Sequence, residues 1–267
     1  MSGVFALALS LLVIGAHAEA PPARVVSINF CADQLALLLA APGQLRSVTW
    51  IAHDPARNPL AARAKGLDSN QGEAEEILAL RPDLVLAGTL TTRTTIAALR
   101  RRGIAVVELP PPQSLAALSA LTMTVGTALG RRGAAEALLA EMPPSAALAA
   151  TRERALLVGP AGSIAGEASL GGDLLRAAGF DNLGARLPRR PWSNLSIEEM
   201  RFLRPDILFT ADEDRAADSL AQALLAHPAL TGAGSFRHVT IPAGAFSCAP
   251  PLVARAFAAL REAANRP

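Results

Sequence analysis

The chain has 267 residues, of which 51% are hydrophobic, with 25 basic and 23 acidic side chains and a formal net charge of +2. That length and apolar content can bury one large core or two smaller ones. Near-balanced charge without a block of one sign argues against a nucleic-acid groove or a basic membrane-binding face, and the clusters at Arg100 to Arg102 and Arg189-Arg190 are too short to change this.

The N-terminus reads as a targeting segment. Val4 to Ile14 is an apolar stretch interrupted by Ser10 alone and followed by Ala16-His17-Ala18, an A-x-A cleavage pattern. A cleaved signal peptide over residues 1–18 is expected, with a mature chain starting near Glu19 and exported to the periplasm. The stretch is shorter than the ~20 apolar residues of a spanning helix, so no stable membrane insertion is expected. Neither cysteine follows the apolar run in a small-residue setting, which argues against a lipid anchor. In an oxidising compartment the even pair Cys31 and Cys248 can close a disulfide; the other reading is two buried thiols.

Along the mature chain, β-branched runs alternate with Ala/Leu-rich helical patterns. "RVVSIN", "SVTWIA", "DLVLAG" and "IAVVEL" predict the strands of a first parallel sheet. "SLAALSALTMTVGTALGRRGAAEALLAEM", Ser114 to Met142, opens with a Ser cap after three prolines and carries apolar residues at helical spacing. It predicts one long bridging helix, with Gly126 and Gly130 as unfavourable interior positions. A second series follows, with strands at "ALLVGP", "DILFTA" and "RHVTIP" and helices at Leu170 to Ala178, Ser196 to Leu203, Ala216 to Ala226 and Pro251 to Ala264. The expected architecture is α/β: two Rossmann-like lobes with parallel central sheets, the N-terminal lobe over 19–112 and the C-terminal lobe over 151–267, joined by a bridging helix within 113–150. A single linking helix implies lobes that move little relative to each other.

One unit is written twice. "EEILALRPDLVLAG" begins at Glu75 and "EEMRFLRPDILFTA" at Glu198, with a constant offset of 123 residues that also carries Arg81-Pro82-Asp83 onto Arg204-Pro205-Asp206. Both glutamate pairs fall in a helix first turn, where carboxylates complement the dipole, and Ser196 is placed as a cap with Glu199 three residues on. Pro82 and Pro205 then end the helices, and the next residues run into buried strands.

These segments, "RVVSINFCADQLALLL", "NQGEAEEILALRPDLVLAG", the bridging helix and "RPWSNLSIEEMRFLRPDILF", together resemble the class III periplasmic binding proteins of ABC importers, which carry iron chelates, haem and vitamin B12. The resemblance covers essentially the whole mature chain. It implies a monomeric receptor without enzymatic activity or resident cofactor. Such a receptor takes a siderophore, haem or corrinoid in its interlobe cleft and delivers it to an ABC permease dimer. It also implies that Glu75 and Glu198 are the two docking handles, one per permease subunit, and that Glu76 and Glu199 are caps. Where the vitamin B12 binders of the family place aromatics, this chain has Asn70 and Gly88. Trp192 in "RPWSN" matches the family's second-lobe loop and is implied as a ligand contact.

Open α/β sheets place ligands at the carboxyl ends of their strands. The expected ligand contacts are therefore Asn29, Trp50, His53, Asn70 with Gln71, Thr89, Arg93, Trp192 and Phe246, with Cys248 nearby. In a chain with no tyrosine and two tryptophans, Trp50 and Trp192 stand out as flat apolar platforms; lobe packing is their other reading. Two rival functions compete. A zinc or manganese receptor would need converging histidines, of which the mature chain has His53, His227 and His238. An exported thiol or serine hydrolase-like enzyme could use Cys31 with Asp33 and His53, or Ser163 and Ser169, although no G-x-S-x-G elbow is present.

Overall fold

The computed structural model describes residues 20–143, 153–187, 192–211, 223–231, 236–242 and 247–265. Residues 1–18, Phe246 and most of the helix expected over 216–226 lie outside the described residues.

Two sheets form two lobes. The first contains β1 (Val25–Ser27), β2 (Leu45–Thr49), β3 (Asp68–Asn70), β4 (Leu84–Gly88) and β5 (Ala105–Leu109), all parallel, in the order β3-β2-β1-β4-β5. Successive side chains of a strand point to opposite faces, and here both faces are dry. Val25, Leu84 and Leu86 join one core, while Val26, Val85 and Ala87 join another. This is why β4 reads as a continuous apolar run. Helix α1 (Phe30–Leu39) covers the first face, and α2 (Ala74–Ala79) and α3 (Arg93–Arg101) cover the second through Ile77, Ile96 and Leu99.

The second sheet, among the described residues, runs β11-β10-β6-β7-β9, with β8 beside β6. Its strands are β6 (Arg154–Val158), β7 (Ser163–Ala165), β8 (Asp181–Asn182), β9 (Trp192–Asn194), β10 (Ile207–Ala211) and β11 (Arg237–Ile241). It is mainly parallel, but β7 runs antiparallel to both β6 and β9. The mainly parallel sheet agrees with the parallel central sheet expected from sequence; the antiparallel pairings of β7 were not part of that expectation. Helices α6 (Leu170–Ala177) and α9 (Pro250–Ala264) cover one face, and α7 (Ile197–Phe202) and α8 (Pro228–Thr231) the other.

The segment between the lobes is two helices rather than one, α4 (Leu115–Ala128) and α5 (Arg132–Leu139). Gly130 sits at φ +68°, a left-handed conformation that ends α4. Ser114 caps α4 by accepting from the Ala117 N–H. The helix spans the lobes along one stripe: Leu115 and Leu118 are buried in the second lobe's core, whereas Leu121, Val125 and Leu129 are buried in the first lobe's. Its first turn is held by Asp173 of α6, whose carboxylate accepts from the Leu115 N–H at 2.8 Å.

The repeated Arg-Pro-Asp has a common task in the fold. Arg81 and Arg204 both take positive φ, 48° and 49°, just beyond α2 and α7. The prolines that follow turn the chain back, and each aspartate grips the entry of its lobe's first strand. Asp83 accepts from the backbone N–H groups of Ala23 and Arg24 at 3.0 and 2.9 Å. Asp206 accepts from the Arg154 N–H at 2.8 Å and from its guanidinium at 2.8 and 3.1 Å.

Candidate ligand cleft

Strand order reverses between β1 and β4: the chain builds outward from β1 through β2 to β3, then crosses to place β4 and β5 on the other side. Such a switch point opens a crevice outside the carboxyl ends of the strands. Asn29 follows β1 there and caps α1, its side-chain oxygen accepting from the Ala32 N–H at 3.2 Å. Gly88 ends β4 beside it. A Cβ on Gly88 would lie 2.5 Å from the Asn29 amide nitrogen, so a larger residue here would displace Asn29. Asn29, Thr89, Leu109, Pro110 and both cysteines line a cavity of ≈ 90 Å³ at this point. Ligand pockets typically hold ~300–1,000 Å³, so this hollow by itself is too small for a large ligand.

The carboxyl end of β2 supplies a flat surface. Trp50 opens a 3₁₀ turn, Trp50–His53, and is 42% exposed. The Arg57 guanidinium lies 5.3 Å from its ring centroid and is held by Asp54 at 3.3 Å. The sequence pattern did not single out Arg57; its arginine-after-carboxylate spacing is common on any surface. His53, in the same turn, has a buried Nε2 without a hydrogen-bond partner. Thr49, just before Trp50, is held by Asp33, which accepts from its backbone N–H at 3.2 Å and from its hydroxyl. Burial pushes the Asp33 carboxyl up to about 6, against hydrogen bonds from Ser27 and Thr49 that pull it down.

Asn70, expected as a ligand contact, is a structural residue instead. It is 2% exposed, its amide nitrogen donates to the Ser27 carbonyl at 2.9 Å and the Ser47 hydroxyl at 2.8 Å, and its oxygen accepts from the Gly72 N–H at 3.1 Å. A buried amide with its groups so occupied has nothing left for a ligand. Thr89 and Arg93 are exposed, Arg93 as the first residue of α3. Trp192, read as a loop residue, begins strand β9, where its backbone pairs with Ala165 of β7.

Cys31 and Cys248 form a disulfide with Cα atoms 5.2 Å apart. Cys31 packs on the first lobe's core and Cys248 on the second's, so the bridge joins the lobes. It also removes Cys31 as a thiol nucleophile. Ser169, the serine alternative, is an N-cap: its hydroxyl donates to the Gly166 carbonyl and accepts from the Gly172 N–H. Among the described residues no three His, Cys, Asp or Glu side chains converge as a metal site would require.

The repeated glutamates divide their tasks. Glu76 accepts from the Gln71 N–H at 2.8 Å, and Glu199 completes a capping box with Ser196. Glu75 and Glu198 remain exposed in the first turns of α2 and α7. Its own backbone N–H, then the Ser196 hydroxyl, holds the Glu198 carboxyl below its usual range. Helix α2 follows the carboxyl end of β3. Helix α7 follows β9, which two antiparallel pairings make parallel to β6. Both first turns therefore lie at the carboxyl end of their sheet.

Comparison with known proteins agrees with this fold. A cobalamin-binding protein of Halobacterium salinarum is 29% identical over 220 residues, 78% of this chain; the chain spans 59% of that relative's length. A periplasmic haem-binding protein from Pseudomonas aeruginosa has a solved structure of the same fold, with TM-score 0.66, 25% identity and 91% of this chain and 92% of that one covered. The periplasmic haem-binding protein RhuT from Roseiflexus sp. RS-1 shares the fold with TM-score 0.68 and 21% identity, covering 91% of this chain and 99% of that one. Residues 25–239 match the family described as periplasmic binding protein. No helix among the described residues is long and apolar enough to cross a membrane, and the chain belongs to the periplasmic binding protein family, whose members bind ligands rather than transform them.

Proposed function

We propose that this chain is the substrate-binding component of an ABC importer. It captures, in the cleft between its lobes, a corrinoid such as vitamin B12, or another chelate whose metal arrives fully ligated. The observation that carries this reading is the half-exposed Trp50, stacked by Arg57 at the carboxyl end of β2. An aromatic ring stacked by a cation on one face can offer its other face to a planar macrocycle bearing polar substituents. Metal ligation favours a corrinoid over haem. Haem iron takes His, Cys, Met or Tyr from its protein. This chain has no tyrosine, its cysteines are bridged, Met200 is fully buried, Met123 and Met142 pack against the two lobes' cores, His238 Nε2 is 3.1 Å from the Thr210 hydroxyl and His227 Nδ1 accepts from the Ala229 N–H. A corrinoid brings its own axial ligands and needs none of these groups.

The unpartnered Nε2 of His53 supports haem as the second reading. Titrating tryptophan emission with cyanocobalamin, cobinamide, haemin and a ferric siderophore tests both. Saturable quenching by a corrinoid at one equivalent, weakened in Trp50→Ala, is the expected result. A haemin Soret shift that disappears in His53→Ala would favour the second reading instead. Delivery from the periplasm to a permease dimer follows from the same reading, with Glu75 and Glu198 as the docking handles. Glu75→Arg with Glu198→Arg should abolish ATP-driven uptake while ligand affinity stays unchanged, because like charges would then face a basic partner; normal uptake would remove the docking role.

A further inference from the structure

Helix α1 carries a buried polar chain that begins at the lobe junction and ends at the Trp50 turn. Gln34 is 2% exposed. Its Oε1 accepts from the Ser247 hydroxyl at 3.0 Å and from the Cys248 N–H at 2.9 Å. Its Nε2 donates to Asn58 Oδ1 at 3.4 Å. Asn58 is 1% exposed and donates through Nδ2 to the Ala52 carbonyl at 2.7 Å. Ala52 lies inside the Trp50–His53 turn, and Ser247 and Cys248 lie between β11 and α9 of the second lobe. Two buried amides therefore connect a segment of the second lobe to the turn that carries the platform of the first.

This chain differs in kind from the disulfide nearby. The Cys31–Cys248 bond holds two segments close but leaves the Trp50 turn untouched, whereas the Gln34 amide, planar and with its oxygen and nitrogen both occupied, has one geometry that satisfies both ends. In a dry interior an unmatched end costs more than the bond contributed. Displacement of residues 247–248 is thus opposed through Asn58 at Ala52, while Asp33, on the same helix, fixes Thr49 at the other end of the turn.

We infer that Gln34 is a positioning residue of the cleft: acting through Asn58, it sets the orientation of the Trp50 platform according to the placement of the second lobe. The inference builds on the reading of Trp50 as a ligand platform, and its first test needs no ligand. In a Trp192→Phe background the emission comes from Trp50 alone, since the chain has two tryptophans. Acrylamide quenching of that emission should change in Gln34→Leu, and also in Ser247→Ala, which removes the hydroxyl's bonds to Gln34 and to the Ala249 N–H at the far end of the chain and keeps the disulfide. Both variants should retain native circular dichroism and cooperative unfolding. In the same variants with Trp192 restored, cyanocobalamin affinity should fall by about fivefold or more.

If Gln34→Leu fails to fold, Ser247→Ala decides the matter. Unchanged quenching in folded Ser247→Ala overturns the inference, because a residue that merely packs at the junction would leave Trp50 as it was. Altered quenching in a parent that binds neither cyanocobalamin nor haemin would uphold the relay while removing the ligand reading.

Discussion

The two copies of the helix-to-strand unit agree in some positions and differ in others, and the division follows physical need. Arg81 and Arg204 share a left-handed turn, and Asp83 and Asp206 both grip the start of their lobe's first strand. These positions close a βαβ layer, and each lobe requires them. The flanks diverge. Helix α7 begins with a full capping box at Ser196, whereas Glu73 at the equivalent place before α2 provides no side-chain cap. Phe202, 86% exposed, stands at the offset position of Ala79, and Asp206 adds a guanidinium pair where Asp83 has mainly backbone donors. The second copy is tied down more firmly at its own ends, beside a sheet that mixes strand directions, while the first sits in a wholly parallel sheet.

The largest effect is expected where the lobes are joined. Cys31→Ser with Cys248→Ser should lower stability by about 2–5 kcal/mol, because the bridge closes a very long loop. Urea unfolding should then separate into two transitions if the lobes differ in intrinsic stability as their flanks imply. One cooperative transition at unchanged midpoint would break the contrast.

A smaller effect compares the aspartates directly. Asp206→Ala should destabilise by about 1–2 kcal/mol, and Asp83→Ala by about 1 kcal/mol or less, since both pairs are partly screened by solvent. Acid should reveal the difference. Hydrogen bonds from the Arg154 side chain, then its backbone, lower the Asp206 carboxyl below its ordinary 3.8. Its contribution is present above about pH 4 and is lost as pH falls through the folded value. Wild type and Asp206→Ala should therefore converge in urea midpoint as the solution is acidified below that pH. Equal losses for both aspartate variants at neutral pH would show that the guanidinium pair adds nothing.

The smallest effect concerns the caps. Ser196→Ala should cost about 1 kcal/mol, and Glu73→Ala should stay within roughly 0.5 kcal/mol, both read from thermal midpoints. A larger loss for Glu73→Ala would mean that α2 depends on a cap not seen at its side chain.

Much of this architecture was legible because it is local. Val25 and Val26, or Leu84 to Ala87, declare a strand buried on both faces by composition alone, and Ser196 with Glu199 declares a helix start by spacing. Gly126 and Gly130 were both marked as weak points of the bridging segment; it breaks at Gly130, while Gly126 stays within α4. The short strands β3, β7 and β9 escaped notice because Asp68–Asn70, Ser163–Ala165 and Trp192–Asn194 lack the run of β-branched residues that marked the equally short β1. Asn70 was misread because its position after a strand is the same for a ligand contact and for a buried strut; only its partners on Ser27, Ser47 and Gly72 distinguish the two.

By itself, then, the order of residues determined what short-range physics can determine: alternation of strands and helices, caps, stops, two lobes and a repeated unit between them. Tertiary structure decided what depends on residues far apart in the chain. It brought Cys31 to Cys248 across a sequence separation of 217, placed Gln34 between Ser247 and Asn58 and set Gly88 beneath Asn29. Such meetings follow from how two sheets and their covering helices fill space together, and no periodicity along the chain records them.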